Sequence, residues 1–105
     1  MLDAIEQIQS YTDSISNSDQ FFDNRLVFDA TLMNFVLLGE VAARVSEKTK
    51  NLSPRIEWSE IRAFRNLVAH EYLGIDAEEV WQTIHDDIPA LRRSLQKLLD
   101  APGEE

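Results

Sequence analysis

The sequence of 105 residues has no cysteine and only three glycines and three prolines. Without cysteine there can be no disulfide, no thiolate zinc site and no cysteine nucleophile, and a reducing compartment suits the chain, so we expect a cytoplasmic protein. So few glycines and prolines, with no sustained alternation of apolar and polar residues, leave helices to carry the fold. No stretch approaches the roughly 18 apolar residues of a membrane span. The opening MLDAIEQIQS carries acids where a signal peptide needs a basic region. No membrane partner is therefore expected. Basic residues are scarce as well: ten against nineteen acids give a net charge of -9. That balance argues against sequence-blind binding to nucleic acid over the whole surface, while leaving room for a local basic cleft. Apolar residues are plentiful at 44%, which suits one domain over residues 1–105 with one small core. Folding at this length buries roughly two-thirds of the extended chain's surface, so association with a second copy would help.

Residues 2 to 16 place Leu2, Ile5, Ile8, Tyr11, Thr12 and Ile15 at spacings of three and four, the pattern of an amphipathic helix. Ser16 to Gln20 reads as a linker with several capping candidates. The longest helical pattern runs from Phe21 to Lys48. From Val27 to Val45 its apolar residues cover most of the circumference, where an ordinary surface helix shows one stripe. So short a chain has too few other helices to cover that surface, and we infer a partner subunit, with Phe35, Leu38 and Ala42 as candidates to face it. TKNLSPRIE reads as a loop because of Ser53-Pro54. A third helix starts near Trp58 and stops around Leu73-Gly74, where glycine can take the left-handed conformation. Asp76 with Glu79 predicts a capping box for a fourth helix, which Pro89 should kink or split. The APGEE tail is expected to fray.

On a wheel advancing about 100 degrees per residue, the third helix divides in two. Ile61, Phe64, Leu67 and Val68 form a core face. Arg62, Arg65, Asn66, Ala69, His70 and Tyr72 share the opposite arc, which thus holds two fixed cations, an amide, an imidazole and a phenol. Taken singly, each is explained by structure: a histidine near a helix C-terminus complements the dipole, and a tyrosine packs its ring. Together they are harder to dismiss. On average residue usage, the string Arg65-Asn66-x-x-x-His70-x-Tyr72 has roughly a one in ten thousand chance of arising in a chain this short.

RNLVAHEY, Arg65 to Tyr72, resembles the R-N-x-x-x-H-x-Y signature of HEPN-domain proteins, specifically the HepT-like ribonuclease toxins. GEVAARVSE resembles that family's G-E-A-A-x-x-x-S segment, IEWSEIRAFRN its I-P-W-x-E-I-x-x-x-R-N, and IDAEEVWQTIHDDIPALRRSL its final helix. The resemblance covers nearly the whole chain. The departures are a shorter first helix and Glu57 where a proline often precedes the tryptophan. The resemblance implies an all-α HEPN-type bundle of four to five helices, a twofold homodimer and a metal-independent ribonuclease that is the toxin of a bacterial toxin-antitoxin pair. It also implies an MntA-type nucleotidyltransferase antitoxin, which would silence the toxin by transferring AMP from ATP onto the motif tyrosine, here Tyr72. An AMP there would set its phosphate within reach of Arg65 and Arg62 on the same arc.

The residue chemistry supports the same activity. Metal-free RNA cleavage needs a group to take the proton of the ribose 2'-hydroxyl, and His70 is the imidazole at hand. Arg65 can offer a bidentate fork to phosphate oxygens, Asn66 can orient the imidazole or the substrate, and Arg62 would extend the strip toward RNA. His70 and Arg65 stand about 140 degrees apart on one helix, so two copies facing each other would clasp a phosphate better than one.

Other clusters read as structure. His85, Asp86 and Asp87 point in different directions on a helix and make a solvated face, so no metal is expected. Glu40 and Arg44, one turn apart, most simply form an ion pair, with a role in shaping the active cleft as the weaker alternative. Trp58 and Trp81 suit core or interface anchors. The sequence has no glycine-rich phosphate loop, so no cofactor is expected and ATP would be handled by the partner. The alternative function is a non-catalytic helical module that binds a nucleotidyltransferase. A purely structural helical dimer would leave the polar arc unexplained.

Overall fold

The computed structural model describes residues 1–100, which are all helical apart from short connections. Five longer helices carry the architecture: α1 (Leu2–Thr12), α3 (Arg25–Ala43), α5 (Trp58–Glu71), α6 (Ala77–Asp86) and α7 (Ile88–Asp100), with short helices α2 (Ser18–Asp23) and α4 (Glu47–Asn51) between them. The APGEE tail lies outside the described residues.

Asparagine and serine side chains set the starts of three helices, and two of them, Asn24 and Ser46, cut the long second helical pattern into pieces. Asn17 starts α2, its Oδ1 accepting the Gln20 N–H at 2.9 Å, while Gln20 Oε1 accepts the Ser16 N–H at 3.1 Å. Asn24 leaves the helical region, with ψ at 86°, and its Oδ1 accepts the Val27 N–H at 3.2 Å to begin α3. Ser46 does the same for α4 through the Thr49 N–H at 3.1 Å. The single helix expected over Phe21 to Lys48 is thus α2, α3 and the start of α4, because short polar side chains offer the backbone a bond that competes with the helical one. Part of the expected TKNLSPRIE loop is helical for the same reason.

The end of α5 also differs from expectation. The chain tightens into a 3-10 turn, Tyr72–Gly74, and no residue among those described has positive φ. Ile75, extended at φ -68 and ψ 140 and buried in the core, draws the chain inward, so Gly74 does not need the left-handed conformation. In α6, Asp76 caps the Glu78 N–H at 3.0 Å rather than forming the expected box with Glu79. Pro89 does split the last helical run. It occupies the second position of α7, where its missing N–H is not required.

α3 and α5 form the most extensive helix pair, with α1 against α3, α2 against α6, and α7 closing on α6 and α1. Phe28, Leu32, Phe35 and Leu38 on the inner face of α3 meet Ile5, Ile8 and Val68 in one core, and Phe35 stacks edge-on against Phe64 at 4.8 Å between ring centres. Arg92 reaches from α7 to Gln9 and Glu6 on α1. Trp58 and Trp81 pack against the core as expected.

The molecule measures 49 × 27 × 18 Å, and its thin dimension has room for about two helix layers. α3 is therefore covered on one side only. Leu26, Met33, Leu37 and Val41 are exposed at 82%, 58%, 47% and 40%. Phe35, Leu38 and Ala42 are instead buried in this chain's own core, so any partner-facing stripe is the other one. By length and composition α3 would also suffice to cross a membrane, contrary to the expectation that no stretch comes near it. Its inner face is committed to the protein core.

Candidate active site

The site is built where α5 crosses α3. At the crossing stands Gly39, buried, and a side chain there would run into Cβ and Cγ of Arg65. The bare backbone of α3 thus allows α5 to lie close enough for Arg65 to reach across it. One residue further along α3, Glu40 accepts a hydrogen bond from Arg65 Nη2. Arg65 Nη1 donates to Asn66 Oδ1 at 3.0 Å. A guanidinium carries five N–H donors in a fixed fork, so two anchoring bonds hold it in place and leave donors for a phosphate.

The pairing of Glu40 corrects the sequence expectation. Glu40 is tied to Arg65, twenty-five positions away, and Arg44 lies beyond the last residue of α3, exposed. The i,i+4 partner loses because Arg44 sits where the helix ends, while Arg65 is delivered by the close crossing at Gly39.

The rest of the arc lies open. Arg62, Asn66, Ala69 and His70 are exposed, and Ile61, Phe64, Leu67 and Val68 face inward, so the two faces of the third predicted helix fall as the wheel divides them. The His70 side chain has no hydrogen-bond partner among the described residues. Asn66 spends its carbonyl oxygen on Arg65, and the structure shows no bond from it to His70.

Tyr72 goes elsewhere. Its hydroxyl donates to Asp29 Oδ1 on α3 at 2.5 Å, and Arg25 stands 3.9 Å from the same carboxylate oxygen. Accepting that bond, Asp29 holds the phenol's pKa above its ordinary value of 10.0, assisted by partial desolvation and by the carboxylate's charge and opposed by Arg25. Tyr72 and Arg65 are thereby tethered to α3 positions eleven residues apart, about 16 Å along the helix. A phosphate on the Tyr72 oxygen would lie beside Arg25 rather than within the expected reach of Arg65 and Arg62. Beside the phenol is a hollow of about 340 Å³ lined by Asp29, Leu32, Met33, Val36, Val68, Ala69 and Tyr72.

Among the described residues no three His, Asp or Glu side chains gather where they could hold a metal. His85 rests on its own helix, with Nδ1 2.9 Å from the Trp81 carbonyl oxygen and its ring 4.2 Å from that of Trp81. A larger groove of about 450 Å³ between α5 and the α6–α7 pair has an apolar floor with Phe35, Phe64 and Ile88 and a rim on which four acids, Glu57, Glu60, Glu79 and Asp87, outnumber one base, Arg55. It lies away from the polar arc and would repel an RNA backbone.

Sequence reasoning gave Glu40 first to Arg44 and only second to shaping the cleft, and it missed the Asp29–Tyr72 bond, which lies apart from the Arg65 anchor. GEVAARVSE carried a signal for Glu40, since glycine next to an acid on an otherwise apolar helix marks a close approach with a charge at its edge. Nothing local marks Asp29, whose partner is 43 residues away.

The chain matches the family described as Ribonuclease HepT-like over residues 1–98. It is 32% identical to a protein of Thermococcus cleftensis named "Probable ribonuclease HepT", over 91% of this chain and 86% of that one. Two proteins of Methanocaldococcus jannaschii are also similar. One, named as a candidate RNase, is 22% identical over 91% of this chain and 87% of its own length. The other, named as a gamma-glutamylcyclotransferase and candidate RNase, is 26% identical over 95% of this chain, which spans 45% of it. No solved structure matches the chain.

Proposed function

The chain belongs to the HepT-like ribonuclease family, an enzyme of RNA cleavage, and on that premise we propose that it is a metal-independent endoribonuclease, the toxin of a bacterial toxin-antitoxin pair, acting in the cytoplasm. The observation that carries this reading is the crossing at Gly39: it fixes Arg65 between Glu40 and Asn66 and leaves His70 open on the same arc. His70 takes the proton of the ribose 2'-hydroxyl as the 2'-oxygen attacks the adjacent phosphorus. Arg65 receives the charge that builds on the non-bridging oxygens, with donors held in place before the reaction begins. Arg62 extends the positive strip along the RNA.

Because Arg65 and His70 diverge by about 140 degrees around α5, the reading includes a twofold dimer in which two arcs face one cleft. The exposed stripe of Leu26, Met33, Leu37 and Val41 supports it, since contiguous apolar surface of that kind marks an interaction site. Silencing is by an MntA-type nucleotidyltransferase that transfers AMP from ATP to Tyr72, whose hydroxyl lies at the surface of the same helix end.

The test is RNA cleavage by the purified protein with EDTA present, then again after incubation with the nucleotidyltransferase and ATP, with intact masses recorded. Cleavage that survives EDTA and is lost as AMP is gained supports the reading. Dependence on magnesium sinks the metal-free mechanism, and inhibition of a protein of unchanged mass replaces adenylylation with simple binding.

A further inference from the structure

The Tyr72 hydroxyl is already engaged in the isolated chain. Its bond to Asp29, at 2.5 Å, joins the 3-10 turn to the N-terminal half of α3 across 43 residues of sequence, and both partners lie at the surface where a second protein can reach them. The bond is short, as expected when a carboxylate accepts from a hydroxyl. Arg25 stands one turn before Asp29 at 3.9 Å. Asp29 has no place in the ribonuclease reaction: it sits eleven residues from Glu40 on α3, away from the Arg65 anchor.

A neutral phenol is a weak nucleophile, and oxygen nucleophiles are activated by an adjacent base that removes the proton as the new bond forms. We propose that Asp29 is the general base for adenylylation of Tyr72, an inference that rests on the silencing reading above. As the Tyr72 oxygen attacks the α-phosphorus of ATP held by the nucleotidyltransferase, the O–P bond forms and the bond between the α- and β-phosphates breaks. Pyrophosphate leaves, and the phenolic proton passes to Asp29 Oδ1 and from there to solvent. The acceptor thus brings its own base, and the transferase need supply only the nucleotide and its metal. The product's phosphodiester charge then falls beside Arg25, which can exchange Asp29 for the phosphate.

The experiment follows AMP incorporation by intact mass for wild type, Asp29→Asn, Asp29→Glu and Tyr72→Phe, each with the nucleotidyltransferase and ATP. Asp29→Asn should slow incorporation about a hundredfold or more, the usual loss when a general base is removed. Its residual rate should climb with pH as phenolate becomes available, where wild type is flat. Asp29→Glu, which keeps the carboxylate, should recover most of the rate, and Tyr72→Phe should gain nothing. RNA cleavage by unmodified Asp29→Asn should match wild type, which also certifies its fold. Asp29→Asn modified at the wild-type rate overturns the role of Asp29 and leaves the silencing reading standing. Equal slowing of Asp29→Asn and Asp29→Glu, or weakened binding of the transferase by Asp29→Asn, reassigns Asp29 to docking and overturns the proposal. Wild type that gains no AMP overturns the silencing reading, and this inference with it.

Discussion

Arg65 and His70 stand five residues apart on α5 and meet opposite circumstances. Arg65 is half-buried, lies across a glycine and is bonded to Glu40 and Asn66. His70 is exposed, with no side-chain partner among the described residues. A cation that must wait for a transition-state charge gains from being fixed beforehand, because no reorganisation is then needed when the charge appears. A base that must meet a proton on a mobile substrate gains from an open position. The contrast also shows where the fold spends its close packing: at the α3–α5 crossing, with the far end of α5 left to be completed by whatever approaches it.

The largest expected effect breaks the open half. His70→Ala should lower RNA cleavage by about 10²- to 10⁴-fold, with helix content by circular dichroism unchanged because the residue is exposed and outside the core. A variant that cleaves normally would give the base to another group.

The pinned half is tested next. Gly39→Ala places a carbon against Cβ of Arg65, an atom too close to the backbone to swing aside, so the helices must separate. We expect a loss of about 1–3 kcal/mol in denaturant unfolding, as for overpacked cores, together with most of the activity. Gly74→Ala is the control: nothing lies within 4 Å of its added carbon, and its φ is not positive. It should be neutral or stabilising by about 0.4–1 kcal/mol. Equal damage from both would mean that the crossing is not the tight point.

Glu40→Gln sharpens the comparison by loosening Arg65 without moving a helix. Both partners are partly exposed, so stability should change by under about 1 kcal/mol. kcat should fall about tenfold, as for a loss of roughly 1.4 kcal/mol of transition-state stabilisation, with KM for RNA nearly constant. A rise in KM alone would make Glu40 part of substrate binding.

The smallest effect lies outside both halves. Thr31 is buried on the inner face of α3 with its hydroxyl unpaired. Thr31→Val removes that unpaired group at nearly equal volume and should raise the melting temperature by a few degrees, equivalent to about 1 kcal/mol. Cleavage should not change; if it does, the core face and the polar arc are coupled.

The two faces of α5 were legible in the sequence because Ile61, Phe64, Leu67 and Val68 recur at helical spacing, and the RNLVAHEY string gathered the candidate site. Two kinds of feature were not. Helix breaks at Asn24 and Ser46 turn on single side-chain bonds to backbone N–H groups, which an apolar pattern running through them conceals. The Glu40–Arg65 and Asp29–Tyr72 bonds depend on how α3 and α5 cross. Local spacing therefore favoured Arg44 as the partner of Glu40, and a wheel extended through the 3-10 turn put Tyr72 near Arg65.

The neighbouring letters Gly39 and Glu40 answer to different constraints, and they should decay differently when a lineage loses the activity. Gly39 is obstructed by Cβ of Arg65, an atom that every residue except glycine would also place there. A chain that has exchanged Arg65 for alanine would still be unable to accept a side chain at position 39. Glu40, relieved of its guanidinium, would be free to drift at once. A related sequence that keeps the glycine but not the acid has the same helix crossing and a weakened site, so the second letter, not the first, tracks the decay of the chemistry.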